Sequence, residues 1–418
     1  MPPPQLTIRP GHPDFLDLPW SRPLPNWTLP NMLDLPKGIS RHEVRFLSYP
    51  QGVYVVKELS AQLAENDYTI LRGLEAVGAP AVGAVGLVER RTNDPGEEMS
   101  AALITAYEPF SFSYRELLAG GMAAVNDANE LTAGDRAPGF GLRRNQMLDA
   151  FAGLLVELHV AGCFWGDCSL SNVLYRFDAE AIETIMVDAE TARIYEDGLT
   201  DGKRQEDIEL MIENVAGGMA DIAAEAGVDV DLADFDLGFD IADRYHNLWA
   251  ELGETVTINS DERYLITERV ERINRLGFDV EEVDLLPSND DTSEMLIKVR
   301  VGGRNFHRNR LKSLTGIDAL ENQARAILAD VHFFSGEADA TTKATNAIRW
   351  RANHFEPMMA KLTAQKDLAD PIQAYTDILH HRYVLASVQK RDVTTEEAYE
   401  DWLTAGRPGY PLNSAVLT

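Results

Sequence analysis

The apolar residues of this chain change their period near residue 110. Before that point they recur mostly at every second residue, as in strands, with one helix between them. After it they recur mostly at every third or fourth, as in helices, with short strands interspersed. Residues 43–49 put Val44 and Phe46 on one face, Pro50-Gln51-Gly52 makes a turn, and 53–59, Val-Tyr-Val-Val-Lys-Glu-Leu, reads as the hairpin partner. Ser60 is placed to cap a helix running to about Val77, with Ala64, Tyr68, Leu71 and Leu74 on one stripe. Residues 82–90 and 101–107 read as two further strands, so this stretch predicts a small α+β lobe.

Helical spacing then prevails. It begins at 114–118 and is clearest at 146–159, where Met147, Phe151, Leu154, Leu155 and Leu158 share a stripe; 204–226 and 241–252 follow. Short strands are expected at 173–177 and 182–187, and the Gly- and Ala-rich stretch 120–141 reads as a loop insertion. The ten prolines between positions 2 and 36 forbid long helices in an irregular leader, although Trp20, Trp27 and Leu33 suggest that it packs onto a domain. From about 261 a separate, mostly helical unit is expected, with two strands at 278–286 and 295–301 split by a polar turn at 287–291. Its helices are expected at 262–276, 319–334, 342–363, 371–389 and 395–405. The predicted organisation is a leader at 1–38, a small lobe at 39–108, a large helical lobe at 109–260 and a C-terminal domain at 261–418.

The formal net charge is −29, which argues against a nucleic-acid polymer as partner, because phosphate backbones are held by clustered Lys and Arg. Its simplest meaning is solubility. No stretch approaches the roughly 20 apolar residues that cross a bilayer. The N-terminus lacks the regions of a signal peptide, and two cysteines fit a reducing compartment, so a cytoplasmic location is expected. Cys163 and Cys168 read as small buried fillers.

The residues that suggest chemistry come in a fixed order. Lys57 sits inside an otherwise apolar strand, where an amine is costly unless paired or solvated. It reads either as an edge-strand lysine facing solvent or as a phosphate-binding lysine paired with a carboxylate on the next helix, for which Glu65 is the candidate. Glu58 should point to the opposite sheet face. The loop 166–172, Gly-Asp-Cys-Ser-Leu-Ser-Asn, places Asp167 five residues ahead of Asn172, and Asp188 follows in Thr-Ile-Met-Val-Asp-Ala-Glu. That order and spacing suits phosphoryl transfer assisted by Mg²⁺. One carboxylate accepts the proton of the attacking hydroxyl, while an amide oxygen and a second carboxylate hold the metal against nucleotide phosphates. Glu190 either adds a metal ligand or faces solvent.

As an ordered set, Val-Lys-Glu-Leu, Leu-His-x-x-Gly-x-x-x-Gly-Asp-x-x-x-x-Asn and Val-Asp-Ala-Glu resemble the protein-kinase-like fold, and within it the lipopolysaccharide-kinase-like group. The tail stretch 314–325, Leu-Thr-Gly-x-x-Ala-x-Glu-Asn-Gln-Ala-Arg, is similar to an uncharacterised bacterial family that joins such a region to a C-terminal domain of unknown function. The resemblance implies an α+β, bilobal fold: a small antiparallel-sheet lobe, a helical lobe and the additional tail domain. It implies ATP and Mg²⁺ as cofactors, Asp167 as catalytic base, Asn172 and Asp188 as metal ligands, and Lys57 on the α- and β-phosphates, fixed by Glu65. It also implies a hinge at 106–110, including Tyr107, Glu108 and Phe110, whose backbone reads adenine, and a structural role for His159.

The departures are as informative. No Gly-x-Gly-x-x-Gly precedes Lys57; only Gly38, Ser40, Arg41 and His42 occupy that region. Trp165-Gly166 stands where protein kinases have His-Arg, Ala-Glu follows Asp188 in place of Phe-Gly, and no Ala-Pro-Glu follows. The expectation is therefore transfer of the γ-phosphate to a hydroxyl of a small-molecule or glycan acceptor. A nucleotide-binding pseudokinase recruiting a protein partner through its C-terminal domain is the first alternative. AMP transfer, or an atypical protein kinase, is a further one. Arg300, Arg304, His307, Arg308, Arg310 and Lys312 form the clearest basic cluster; pairing with acidic faces of the lobes is expected over capture of an anionic substrate. Arg382, Tyr383, Arg391 and Asp392 are expected to dock the tail helices.

Overall fold

The computed structural model describes residues 4–35, 42–93, 96–114, 138–179, 181–227, 229–230, 232–253, 256–259, 262–287, 294–335, 340–366, 368 and 370–409. The chain mixes helices with antiparallel sheets and divides into two compact units. The first comprises residues 1–123, 148–175 and 184–248; the second comprises 124–147, 176–183 and 249–418.

The first unit is built on a six-stranded sheet of order β1-β5-β6-β4-β3-β2. Its strands are β1 (Gln5–Ile8), β2 (Met32–Leu33), β3 (Glu43–Tyr49), β4 (Gly52–Leu59), β5 (Ala84–Glu89) and β6 (Ala101–Ala106). The leader is thus not wholly irregular. It supplies both edge strands, with Gln5 opposite Glu89 and Leu33 opposite Phe46. Between those strands Phe15, Leu18, Trp20, Leu24 and Trp27 are buried in one cluster with Tyr54, Val56 and Ile104. Each such side chain contributes about 1.5–3 kcal/mol by leaving water. Leu33 is partly exposed.

The period of two decides which face each β4 residue serves. Tyr54, Val56 and Glu58 face the leader. There the fully buried Arg91 donates to Glu58 at 2.6 Å and to the carbonyls of Trp20, Arg22 and Ser100. Lys57 faces the other way. Its neighbours across the sheet are Val44 and Leu103, so β4 is an interior strand and the edge-strand reading of Lys57 fails. Helix α1 (Ala61–Ala76) covers that face, burying Ala64, Asp67, Ile70, Leu71 and Leu74. Ser60 occupies the N-cap position with extended backbone but makes no side-chain cap bond.

After β7 (Ser111–Ser113), helix α2 (Pro138–Val160) begins earlier than expected. Residues 138–141 of the expected loop insertion are its first turn; the rest of that insertion, and Gly38, Ser40 and Arg41, lie outside the described residues. Short strand β8 (Cys163–Phe164) pairs with β11 (Arg193–Ile194), and between them run β9 (Val173–Asp178) and β10 (Ala181–Met186). Helix α3 (Asp201–Ala226) is capped by Thr200, which accepts from the Lys203 N–H, and ends at Gly227 in the left-handed conformation. A short turn of helix, α4 (Leu232–Phe235), leads to α5 (Leu237–Gly253).

The second unit contains an antiparallel sheet of order β12-β14-β13, from β12 (Val256–Asn259), β13 (Val280–Pro287) and β14 (Glu294–Val301). β12 precedes residue 261, so the tail sheet starts before the expected boundary. Helices α6 (Tyr264–Arg275), α7 (Phe306–Thr315), α8 (Glu321–Ser335), α9 (Ala340–Trp350), α10 (Glu356–Thr363), α11 (Pro371–Gln389) and α12 (Thr395–Thr404) complete it. A π-turn, Arg351–Phe355, breaks the single helix expected over 342–363. Leu311, Ile327, Trp350, Tyr375, Ile378 and Trp402 are among its core residues. Two buried carboxylates organise this unit. Asp330 accepts from Trp350 Nε1, Tyr375 Oη and Arg382. Asp178 accepts from the Asn322 and Gln323 N–H groups and from Asn322 Nδ2, satisfying the first turn of α8 as a cap from outside the helix.

The basic cluster is occupied inside this unit. Arg300 pairs with Glu282, Arg308 and Lys312 with Asp318, and His307 with Glu321. Arg310 lies over the Phe306 ring, and Arg304 donates to the Leu276 carbonyl. Among the described residues, no helix is long and apolar enough to cross a membrane.

Candidate active site

Lys57 stands among three carboxylates. Its Nζ lies 2.8 Å from Asp188 Oδ2, 3.3 Å from Glu190 Oε2 and 3.4 Å from Asp67 Oδ2. Burial alone would lower the Lys57 pKa, but the charges of Asp188 and Asp67 outweigh it and raise it above its ordinary value, so the amine stays charged. One ammonium cannot balance three carboxylates. Asp67, fully buried, shows the strain: burial first and the charge of Asp188 second push its pKa up to about 7 against the opposing pull of Lys57.

The helix partner of Lys57 is therefore Asp67 and not Glu65, which is exposed. The reason is geometric. Two residues along a helix turn the side chain by about 200°, so when Asp67 faces the sheet Glu65 faces water. Asp67 in fact continues the buried stripe of Ala64, Leu71 and Leu74 at spacings of three and four. An acid inside an apolar stripe is the signal that could have identified it.

Glu190 does not face solvent. Its side chain is buried, pairs with Lys57 and receives His42 Nε2 at 2.8 Å. Burial raises its pKa, but Lys57 and His42 win and hold it below the usual carboxylate range.

Asp167 and Asn172 meet within their loop. Asn172 Nδ2 donates to the Asp167 carboxylate at 3.2 Å and to its carbonyl at 3.0 Å. Asn214, on α3, donates to the other Asp167 oxygen at 3.2 Å. With its nitrogen so engaged, Asn172 presents its amide oxygen elsewhere. The Val187 N–H donates to the Asn172 carbonyl at 3.1 Å, which brings the strand leading to Asp188 against this loop. The donors that Asn172 and Asp188 offer are oxygens, the kind Mg²⁺ takes when it keeps several waters and substrate phosphates. Among the described residues there is no cluster of three or more His, Cys, Asp and Glu suited to holding a metal by protein ligands alone.

The loop is fastened from beneath by Asp207 on α3, a residue that the sequence reading passed over. Its Oδ2 accepts from the Trp165 N–H at 2.7 Å and from His159 Nε2 at 3.1 Å. Its Oδ1 accepts from the Gly166 N–H at 2.7 Å and from the Cys168 thiol at 3.2 Å. Burial raises the Asp207 pKa, yet the hydrogen bonds from His159 and the two amides overcome it and leave it lowered. His159 is a fixed structural member: Nε2–H faces Asp207, so Nδ1 accepts from the Tyr245 hydroxyl at 2.8 Å, and burial holds its pKa down. Both cysteines are buried, and burial pushes the Cys163 thiol up to about 12.

Trp165 is fully buried, and its indole N–H donates to the Asp188 carbonyl at 2.9 Å. It ties the Asp167 loop to the Asp188 segment. Gly166 has φ +78° and lies against Phe164 and the Thr191 carbonyl, so a side chain there meets both a strained backbone and a close wall.

The expected hinge is only partly available. The Tyr107 N–H already donates to the Val53 carbonyl at 3.0 Å, and the Glu108 carbonyl accepts from Ser111 Oγ at 2.8 Å. Phe110 is about half exposed, with φ +60°. Tyr107 is thus committed to the sheet as its continuation.

No curated protein matches the chain. Among solved structures it is similar to one described as WaaP in complex with acyl carrier protein, at 14% identity and a TM-score of 0.33, over 59% of this chain and 88% of that one. Residues 247–406 match the family DUF4032, a domain of unknown function.

Proposed function

We propose that the protein is an ATP- and Mg²⁺-dependent phosphotransferase acting on a hydroxyl of a small-molecule or glycan acceptor. The observation that carries this reading is the 2.8 Å pair between Lys57 and Asp188, with the Asp167–Asn172 loop bonded to the strand that delivers Asp188. In this reading Lys57 binds nucleotide phosphate oxygens, and Asn172 and Asp188 hold the metal. Bound there, Mg²⁺ neutralises charge developing on the transferred group. Asp167 takes the proton of the acceptor hydroxyl as that oxygen bonds to the γ-phosphorus and the bond to the β-bridging oxygen breaks, releasing ADP. Asn172 and Asn214 keep the Asp167 carboxylate aimed, one on each oxygen.

Without a Gly-rich cover or a peptide platform, the sequence favours a small acceptor over a protein. A pseudokinase is the second reading, favoured by Glu190, the third carboxylate on the Lys57 amine. Calorimetric titration with ATP, with and without Mg²⁺, tests the proposal. Wild-type protein should bind more tightly with Mg²⁺, and Asp188→Asn should lose that gain by about tenfold or more. Lys57→Met should weaken binding under both conditions. Wild-type binding that ignores Mg²⁺ sinks the proposal.

A further inference from the structure

Asn66 and Asp67 are adjacent on α1 and grip the same backbone segment by its two kinds of polar group. Asn66 Nδ2 donates to the carbonyls of Glu190 at 2.9 Å, Ala192 at 3.1 Å and Ala189 at 3.4 Å. Asp67 Oδ1 accepts the Ala189 N–H at 3.0 Å, while its Oδ2 faces Lys57. An amide nitrogen carries two hydrogens, so at least one is shared between carbonyls. The segment so held is the one that carries Asp188 and Glu190 to Lys57. Asn is a poor helix former, and α1 gains nothing locally from it. Its three acceptors lie more than a hundred residues away in sequence.

We propose that Asn66 is a positioning residue: it docks residues 188–192 on α1 and thereby sets Asp188 relative to Lys57. The inference rests on the phosphotransferase reading and adds which residue aligns its metal-binding carboxylate. Trp165 holds the same segment from another side, through the Asp188 carbonyl, and Thr191 Oγ1 returns a bond to the Trp165 carbonyl. Asn66→Ala therefore removes one anchor while those of Asp67 and Trp165 remain, and does not remove the fold.

The test uses the full chain with Asn66→Ala. Asn66→Ser, which keeps a short donor, carries it if the alanine variant does not fold. Two readouts are taken. Amide hydrogen exchange at residues 189–192 should quicken about tenfold or more, with β4 and β6 unchanged. The gain in ATP affinity conferred by Mg²⁺ should shrink about tenfold, while affinity without Mg²⁺ stays within about twofold. Exchange at 189–192 within about twofold of wild type, or an undiminished Mg²⁺ gain, overturns the role of Asn66 alone. A wild-type protein that gains nothing from Mg²⁺ overturns the phosphotransferase reading and this role with it, and that failure is visible before any variant is made.

Discussion

Replacing Asp207 by Asn tests whether one buried carboxylate fastens the loop that carries Asp167. Each oxygen of Asp207 receives two donors: Trp165 N–H and His159 on one, Gly166 N–H and the Cys168 thiol on the other. An asparagine keeps a single oxygen. Whichever way its amide turns, an NH₂ faces one of these pairs, and one buried backbone N–H loses its acceptor. Such a group costs about 1–3 kcal/mol, and loss of the charge from the remaining bonds adds a comparable amount, so roughly 3–5 kcal/mol is expected. For a unit of this size that corresponds to a fall in Tm of about 6–20 °C. The assay is thermal and urea unfolding followed by circular dichroism, with Mg²⁺-ATP affinity measured alongside. The pH dependence supplies a second check. The folded pKa of Asp207 lies below its unfolded value, so its stabilisation is present above about pH 4 and is lost as pH falls through the folded pKa. The stability difference between wild type and Asp207→Asn should accordingly narrow in acid. A variant within about 1 kcal/mol of wild type at pH 7 would refute the reasoning, because the four donors would then have other acceptors.

Further predictions follow from the same geometry. Glu65→Ala should change stability by less than about 0.5 kcal/mol and leave ATP affinity unaltered, whereas Lys57→Met should cost about 3–5 kcal/mol in unfolding experiments by stranding Asp67. Trp20→Ala should destabilise the first unit by about 3–5 kcal/mol, measured by urea unfolding, because the leader is part of its core. In the second unit, burial and the charge of Glu183 raise Asp178 to about 7, so its folded form binds a proton that its unfolded form has released. Stability should therefore fall as pH rises from about 4 through 7, and Asp178→Ala, though less stable, should lose that slope in urea titrations.

The strands at 43–49 and 53–59, the helix after Ser60 and the order Lys57, Asp167, Asn172, Asp188 were legible because local period and spacing determine them. What sequence could not supply was the choice among carboxylates. Asp67 and Glu65 are both acids on one helix, and only the position of the buried stripe separates them. Asp207 and Asn214 lie on a helix far along the chain, and nothing in their own neighbourhood ties them to Asp167; Asp207 does share the i, i+4 stripe of Met211 and Val215, both buried. The leader misled for a physical reason. Prolines exclude helix, but they do not exclude short edge strands, and β1 and β2 avoid the prolines altogether. Residues 106–110 do follow the end of a strand, β6, but the Tyr107 N–H is spent on Val53, a pairing that depends on the register of β4 against β6.

The central claim is that Asp167 receives a proton while the γ-phosphate of ATP passes to a hydroxyl. It is tested most directly by incubating the full chain with Mg²⁺, a small-molecule extract and ATP labelled at either the γ- or the α-phosphate, beside Asp167→Asn. The account predicts label in an acceptor from γ only, and none from Asp167→Asn, which still binds Mg²⁺-ATP. Transfer from the α-position, no transfer from either, or undiminished transfer by Asp167→Asn would contradict it.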